Sequence, residues 1–376
     1  MCKQSDTRRL WLARAGLLPA VSVSQIDSKV VRALGLCIVA GTVFAFLKLP
    51  LPWMIGPLLA MAVGKSFGMG LQAPPLAREG GQTVIAVALG LYFTPQVSLE
   101  VSRYLPWMLL AGIVAIFTGV SGSLISRALM GRNAAGRYEL DTATAFFSSI
   151  PGGASEMAVL AERFGGRVDR VAFAQSLRIL LVVMSIPFIY TYADIHGLDP
   201  YQPSLTSVDP AGLAVLLGLG LSGGALAACL KVPNAFMLGP LVVTICLTAL
   251  DFKFSALPGW LSSVGQLCLG CALGAKFERD FFRSAPRFML TVTAATFSAM
   301  LLTGAFALLL WQLAGIHPST GMLAVAPGGI AEMCITAKLM QLGVPVVTAF
   351  HVARVVLLVS FSGWVYRRFL AREGGQ

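Results

Sequence analysis

Apolar residues run in long blocks along this chain, and polar residues are confined to short gaps between them. Six blocks lie near 30–47, 52–69, 81–99, 104–126, 141–163 and 170–193, and six more near 211–230, 234–250, 256–275, 288–314, 320–342 and 347–366. Most approach the roughly 20 residues that a helix needs to cross hydrocarbon. The pattern therefore predicts an all-α polytopic membrane protein. Two blocks are interrupted, at Pro151-Gly152-Gly153 and at Pro327-Gly328-Gly329. Proline removes a backbone donor, and glycine admits conformations barred to other residues. Each interrupted block thus becomes two arms of about ten residues, each roughly 15 Å long and half the hydrocarbon thickness.

The blocks also repeat. Pro151-Gly-Gly-Ala-Ser155-Glu156-Met157 returns as Pro327-Gly-Gly-Ile-Ala331-Glu332-Met333, and Arg178 returns as Arg354 at the same offset of 176 residues. Lys48-Leu-Pro50 with Ile55-Gly-Pro57 returns as Lys231-Val-Pro233 with Leu238-Gly-Pro240, and Gly81-Gln82 returns as Gly265-Gln266. Landmarks in the same order define two homologous membrane repeats, residues 30–193 and 211–368. They are flanked by a basic tail (1–29), a linker (194–210) and a short C-terminal tail (369–376). Duplicated halves, each with a broken apolar helix, are the sequence form of a secondary transporter.

Charge sets the orientation. Only 12% of residues are charged and 56% are hydrophobic, against about 25% charged in soluble domains. The net charge of +11 reads as basic cytoplasmic loops, not as nucleic-acid binding. Basic residues mark the N-terminal tail, the loop with Lys65 and Arg78, the loop with Arg127, Arg132 and Arg137, the loop with Lys276, Arg279, Arg283 and Arg287, and the C-terminal tail. The linker carries Asp194, Asp199 and Asp209 without Lys or Arg, so it reads as extracytoplasmic. Each loop faces the side opposite its counterpart, which predicts inverted repeats with both termini cytoplasmic, in a bacterial-type inner membrane. Inversion needs an odd number of crossings per half. The expectation is about ten full crossings plus two re-entrant or broken Pro-Gly-Gly helices.

The candidate site follows from these features. Helical arms after each break would point free N–H groups at a cavity, a ready anion site. Pro151, Gly152, Gly153 and Ser155, with Pro327, Gly328 and Gly329, would frame it. Glu156 and Glu332 open those arms, either as helix caps or as proton or cation couplers, since charge at membrane depth is usually functional. Arg178 and Arg354 follow by 22 residues and would pair with the glutamates or grip a carboxylate solute. Gln82 and Gln266 would line the cavity or bond neighbouring helices. His351 occupies the place of Gln175 and would titrate near neutrality. Met157 and Met333 read as core. Cys268-Leu-Gly-Cys271 has the form of a redox or metal pair, yet it stands alone inside an apolar run and reads as small hydrophobes. No metal or cofactor is expected.

On the paired Pro-Gly-Gly-x-x-Glu-Met, the Gly-Pro landmarks and the arginines 178 and 354, the chain resembles the membrane AbrB family over about residues 30–370. That resemblance implies a duplicated membrane protein. Members carry labels of gene-expression regulation or ammonia monooxygenase. The breaks are also similar to the crossover helices of the bile-acid/sodium symporter superfamily, where Ser-Asn usually follows. Here Ser155-Glu156 and Ala331-Glu332 follow, which points away from sodium and towards protons. An oxygenase needs clustered ligands, but His196, His317 and His351 show no ligand spacing. The sequence therefore predicts no enzyme. It predicts a carrier of a small, anionic solute, coupled to a proton or cation, in contact with the bilayer and without direct nucleic-acid binding. Homo-oligomer formation is left open. The alternative is a membrane sensor that regulates gene expression on a transporter scaffold.

Overall fold

A computed structural model of the chain describes residues 28–132, 138–197, 201, 207–252, 254–277 and 286–370. Residues 1–27 of the basic tail, 198–200 and 202–206 of the linker, and 371–376 of the C-terminal tail lie outside them. So do Arg137, Arg279 and Arg283. The described residues form helices α1 (Ser28–Phe46), α2 (Pro52–Ser66), α3 (Ala77–Gly90), α4 (Pro95–Ser102), α5 (Leu105–Met130), α6 (Thr142–Ser149), α7 (Ala154–Arg163) and α8 (Val168–Tyr192). They continue with α9 (Pro210–Cys229), α10 (Ala235–Ala249), α11 (Gly259–Gly274), α12 (Pro286–Ala314), α13 (Pro318–Val325), α14 (Ile330–Leu339) and α15 (Val344–Val365). A π-turn, Tyr366–Leu370, closes the described chain.

Over the described residues the second half repeats the helix order of the first; the positions matching α4 in sequence lie outside them. The helices sort into two bodies, each drawn from both halves. One holds α1–α3 with α9–α11, and the other holds α5–α8 with α12–α15. Contacts across the halves come in exchanged pairs. Helix α2 packs on α11 as α10 packs on α3, and α5 packs on α15 as α12 packs on α8. Equivalent helices thus exchange partners between the halves. Where α3 crosses α11, a Cβ on Gly81 would lie 2.7 Å from the carbonyl oxygen of Gly265, so only a small residue admits that crossing. The aromatic ends of α8 and α15 anchor the opposite half. Tyr190 Oη donates to the Ser319 carbonyl at 2.9 Å, and Tyr366 packs on Phe147 with ring centroids 5.4 Å apart.

Among the described residues, six helices (α1, α5, α8, α9, α12 and α15) are long and apolar enough to cross a membrane, or seven spans if α3 and α4 count as one. About ten full crossings would also need the shorter helices α2, α3, α10 and α11, which fall short of that length. Helices α2 and α10 have 15 residues each, about 22 Å at 1.5 Å per residue. They start late because Leu51 and Asn234 are left-handed (φ 48° and 52°). The third block is also not one helix. Helices α3 and α4 meet at 93°, because Pro95 starts a new helix that Thr94 caps by accepting from the Val97 N–H at 3.4 Å.

Both Pro-Gly-Gly blocks fold as hairpins. Asp141 starts α6 by accepting the Thr144 N–H at 2.7 Å. Thr144 Oγ1 in turn accepts the Arg167 N–H at 2.7 Å, so α7 ends where α6 began. In the second half Gly343 lies beside Thr320 in the same way: a Cβ there would sit 3.1 Å from Thr320 Cγ2. The arms have 8 and 10 residues in both halves, too short to span.

Candidate functional site

The tips of the two hairpins meet at a single cavity of about 80 Å³ between the two bodies. Ten of the residues singled out from sequence line it: Gln82, Pro151, Gly152, Gly153, Glu156 and Arg178 from the first half, and Gly328, Gly329, Glu332 and Arg354 from the second. Ser155, Pro327, Gln266 and His351 are not in its lining.

The motif locks itself. A Cβ on Gly152 would sit 2.7 Å from Met157 atoms, and one on Gly328 would sit 2.9 Å from Met333. The first glycine of each motif therefore seats the methionine, which is fully buried. The second glycine is the N-cap of its arm. The glutamate three residues on folds back so closely that a Cβ on Gly153 or Gly329 would collide with its Oε2. The glutamate stands at N3, with its carboxylate beside the free N–H groups and positive dipole end of its own helix.

The arginines do not pair with those glutamates. Arg178 donates to the carbonyls of Ile150 at 2.8 Å and Gly152 at 3.1 Å. Arg354 donates to the carbonyls of Ala326 and Gly328, the equivalent positions. A break leaves backbone acceptors unsatisfied at depth, and a guanidinium reaches two of them at once. Gln175 and His351 complete the clamp. Gln175 Nε2 donates to the carbonyls of Phe147 at 2.7 Å and Ile150 at 3.0 Å. His351 Nε2 lies 2.9 Å from the Leu323 carbonyl, the equivalent of Phe147. His351 is thus a tip-holding group packed behind the cavity wall. Arg178 and Arg354 are near enough to feel each other's charge.

Three polar residues of the lining go beyond the sequence reading of the site. Asn234 donates its backbone N–H to Glu156 Oε1 at 3.1 Å and accepts from Gln82 Nε2 at 2.8 Å. It joins the hairpin of one body to the scaffold of the other. Its signal was available: Asn tolerates the left-handed conformation that the Lys-x-Pro-x turn requires, while the first half has Leu51 there. Arg78 and Lys276 counted in the sequence only as loop charges. Arg78 reaches Ser155 Oγ at 3.5 Å. Lys276 lies within electrostatic reach of Arg78, Glu332 and Glu156. In the register pairing Gly81 with Gly265, their counterparts are Ser262 and Tyr92. Both are buried and stand outside the lining. The cavity therefore has one cationic mouth.

The family pattern described as "Transition state regulatory protein AbrB" matches residues 9–135 and 53–370. A Bacillus subtilis (strain 168) relative, "Uncharacterized protein YhjN", is 30% identical over 246 residues, covering 60% of this chain and 63% of that protein. The "Putative regulator AbrB" of Escherichia coli (strain K12) is 22% identical over 330 residues, covering 87% of this chain and 92% of that protein. The chain thus spans less than two thirds of the Bacillus protein and nearly all of the Escherichia one.

Proposed function

The chain belongs to the AbrB family, and we propose that it is an integral membrane secondary transporter of a small anionic solute, coupled to protons, without enzymatic chemistry of its own. The observation that carries this reading is the single cavity walled by both duplicated hairpin tips. Two helix N-termini and the cations Arg78, Lys276, Arg178 and Arg354 surround it, against two carboxylates. A cavity between two bodies, each built from both repeats, is the arrangement that alternating access uses. With each hairpin returning to its side of entry, each half crosses an odd number of times. The halves are then inverted, as the loop charges require, with both termini cytoplasmic in a bacterial-type inner membrane.

The test is solute flux in proteoliposomes under an imposed pH gradient. Wild type takes up its anion when the proton gradient favours it. Glu156→Gln with Glu332→Gln reconstitutes normally and loses the pH-driven component, because a neutral amide carries no proton. Wild-type pH dependence in that double variant would reduce both glutamates to helix caps.

A second reading is a membrane sensor regulating gene expression. The regulatory names of the family and of the Escherichia relative favour it. A sensor binds solute in this cavity without flux, so the same vesicles separate the two.

A further inference from the structure

We propose that the carboxylates of Glu156 and Glu332 are tethered stand-ins for the solute. Each occupies the anion place at the N-terminus of its own helix, and a small free carboxylate takes that place once a proton has released the glutamate. The inference rests on reading the cavity as the solute site.

Two independent observations meet here. First, the space in front of α7 and α14 is already filled by a carboxylate from the same chain, and Gly153 and Gly329 are the residues that make room for it. Both arms are ten residues long, so the N-terminal groups are those of well-formed helices. Second, the cavity wall holds donors that its own chain leaves over. Arg178 and Arg354 are only 3% and 4% exposed. Each spends its terminal nitrogens on backbone carbonyls, and the Nε of each has no hydrogen-bond partner. Buried charged donors are normally satisfied. Two unsatisfied ones beside two helix N-termini point to an acceptor that arrives from outside the chain. Glu156 is itself only half bonded, with Oε1 on Asn234 N–H and Oε2 unpartnered.

The competition brings the proton with it. A solute carboxylate and an ionised glutamate cannot share one helix N-terminus, for reasons of both space and repulsion. Protonation removes the attraction of the glutamate for the dipole and frees it to turn away. The groups facing the two glutamates from neighbouring elements are Arg78 on α3, Lys276 after α11, Arg178 on α8 and Arg354 on α15, with Cys334 on α14 within reach of Glu332. These four basic groups face the arriving anion. Each solute carboxylate thus enters with one proton, and binding strengthens as pH falls.

The experiment uses the purified full chain in detergent, with formate as probe and chloride at equal concentration as the ionic control. The readout is the thermal midpoint, which rises when a ligand binds the folded form. Glu156→Ala and Glu332→Ala empty one place each. At neutral pH, formate is expected to raise their midpoints above the chloride control and to leave wild type unmoved. In wild type the apparent formate affinity is expected to rise about tenfold per pH unit on acidification, the slope for one linked proton. The double Ala variant should lose that slope. If the Ala variants fail to fold, the double Gln variant serves, and its formate affinity is expected to be independent of pH. Formate acting no better than chloride on the emptied sites would overturn the proposal. So would a wild-type slope retained in the double Gln variant. Formate binding with the expected slope but no flux in vesicles would sink the carrier reading alone.

Discussion

At the scale of single residues, the Pro-Gly-Gly-x-x-Glu-Met motif is explained by contacts within its own few residues. The first glycine exists for the methionine and the second for the glutamate. This makes a sharp prediction. Gly329→Ala adds a methyl group where the Glu332 carboxylate sits, and overpacking of this kind costs about 1–3 kcal/mol. In a Glu332→Ala background the same methyl group meets open space, so most of that cost should vanish. The two substitutions should therefore couple by about 0.5–3 kcal/mol, read as thermal or denaturant midpoints of all four variants. Strict additivity would mean that the glycine does not make room for the carboxylate; backbone freedom would not explain it either, since Gly329 has an ordinary extended φ of −81°.

At the scale of the element, each hairpin tip is a length of non-helical backbone whose acceptors are satisfied from one neighbouring helix. Helix α8 supplies Gln175 and Arg178, and α15 supplies His351 and Arg354. Because glutamine and histidine fill the same role, Gln175→His should fold and reconstitute close to wild type. Gln175→Leu should lose about 1–3 kcal/mol by stranding the Phe147 carbonyl, since the Ile150 carbonyl keeps Arg178. Equal stability of the Leu and His variants in a thermal-midpoint assay would refute the clamp. This element also marks how far the sequence could be read. The breaks, the repeat and most of the lining follow from residue order, because Pro-Gly-Gly and an isolated arginine are local signals. The partner of Arg178 does not. A guanidinium among apolar residues predicts an acceptor, and the sequence offers a carboxylate 22 residues away, while backbone carbonyls leave no letter in the chain. The 93° bend between α3 and α4 was likewise written in Thr94-Pro95 but hidden by the apolarity on both sides. Asn234 marked a left-handed turn, but its partners did not show: the backbone N–H it gives Glu156 has no letter in the chain, and Gln82, which donates to its side chain, lies 152 residues away.

At the scale of the whole molecule, the symmetry of the fold and the asymmetry of the cavity give a prediction about motion. The two bodies are each built from both halves, yet only one mouth is cationic and open. Arg78 and Lys276 line it, while their counterparts Ser262 and Tyr92 are packed away. Glu332 is likewise buried at 6% exposure, where Glu156 is partly buried and tied to Asn234. If the bodies rock against one another, the other end-state exchanges these environments. Ser262 and Tyr92 then line an open mouth, Arg78 and Lys276 are covered, and Glu332 approaches Leu51 as Glu156 now approaches Asn234. Leu51 offers the same backbone N–H, so the bond that Glu156 makes between the bodies has an equivalent there, while the Gln82–Asn234 bond lies inside one body and is untouched by the motion. Single cysteines test this in a background cleared of native thiols. Arg78→Cys should react with an impermeant thiol reagent from the cytoplasmic face without further treatment. Ser262→Cys should react only from the opposite face, and slowly at rest, because Ser262 is buried in this state. Labelling of both positions from one face would mean that the halves are not inverted.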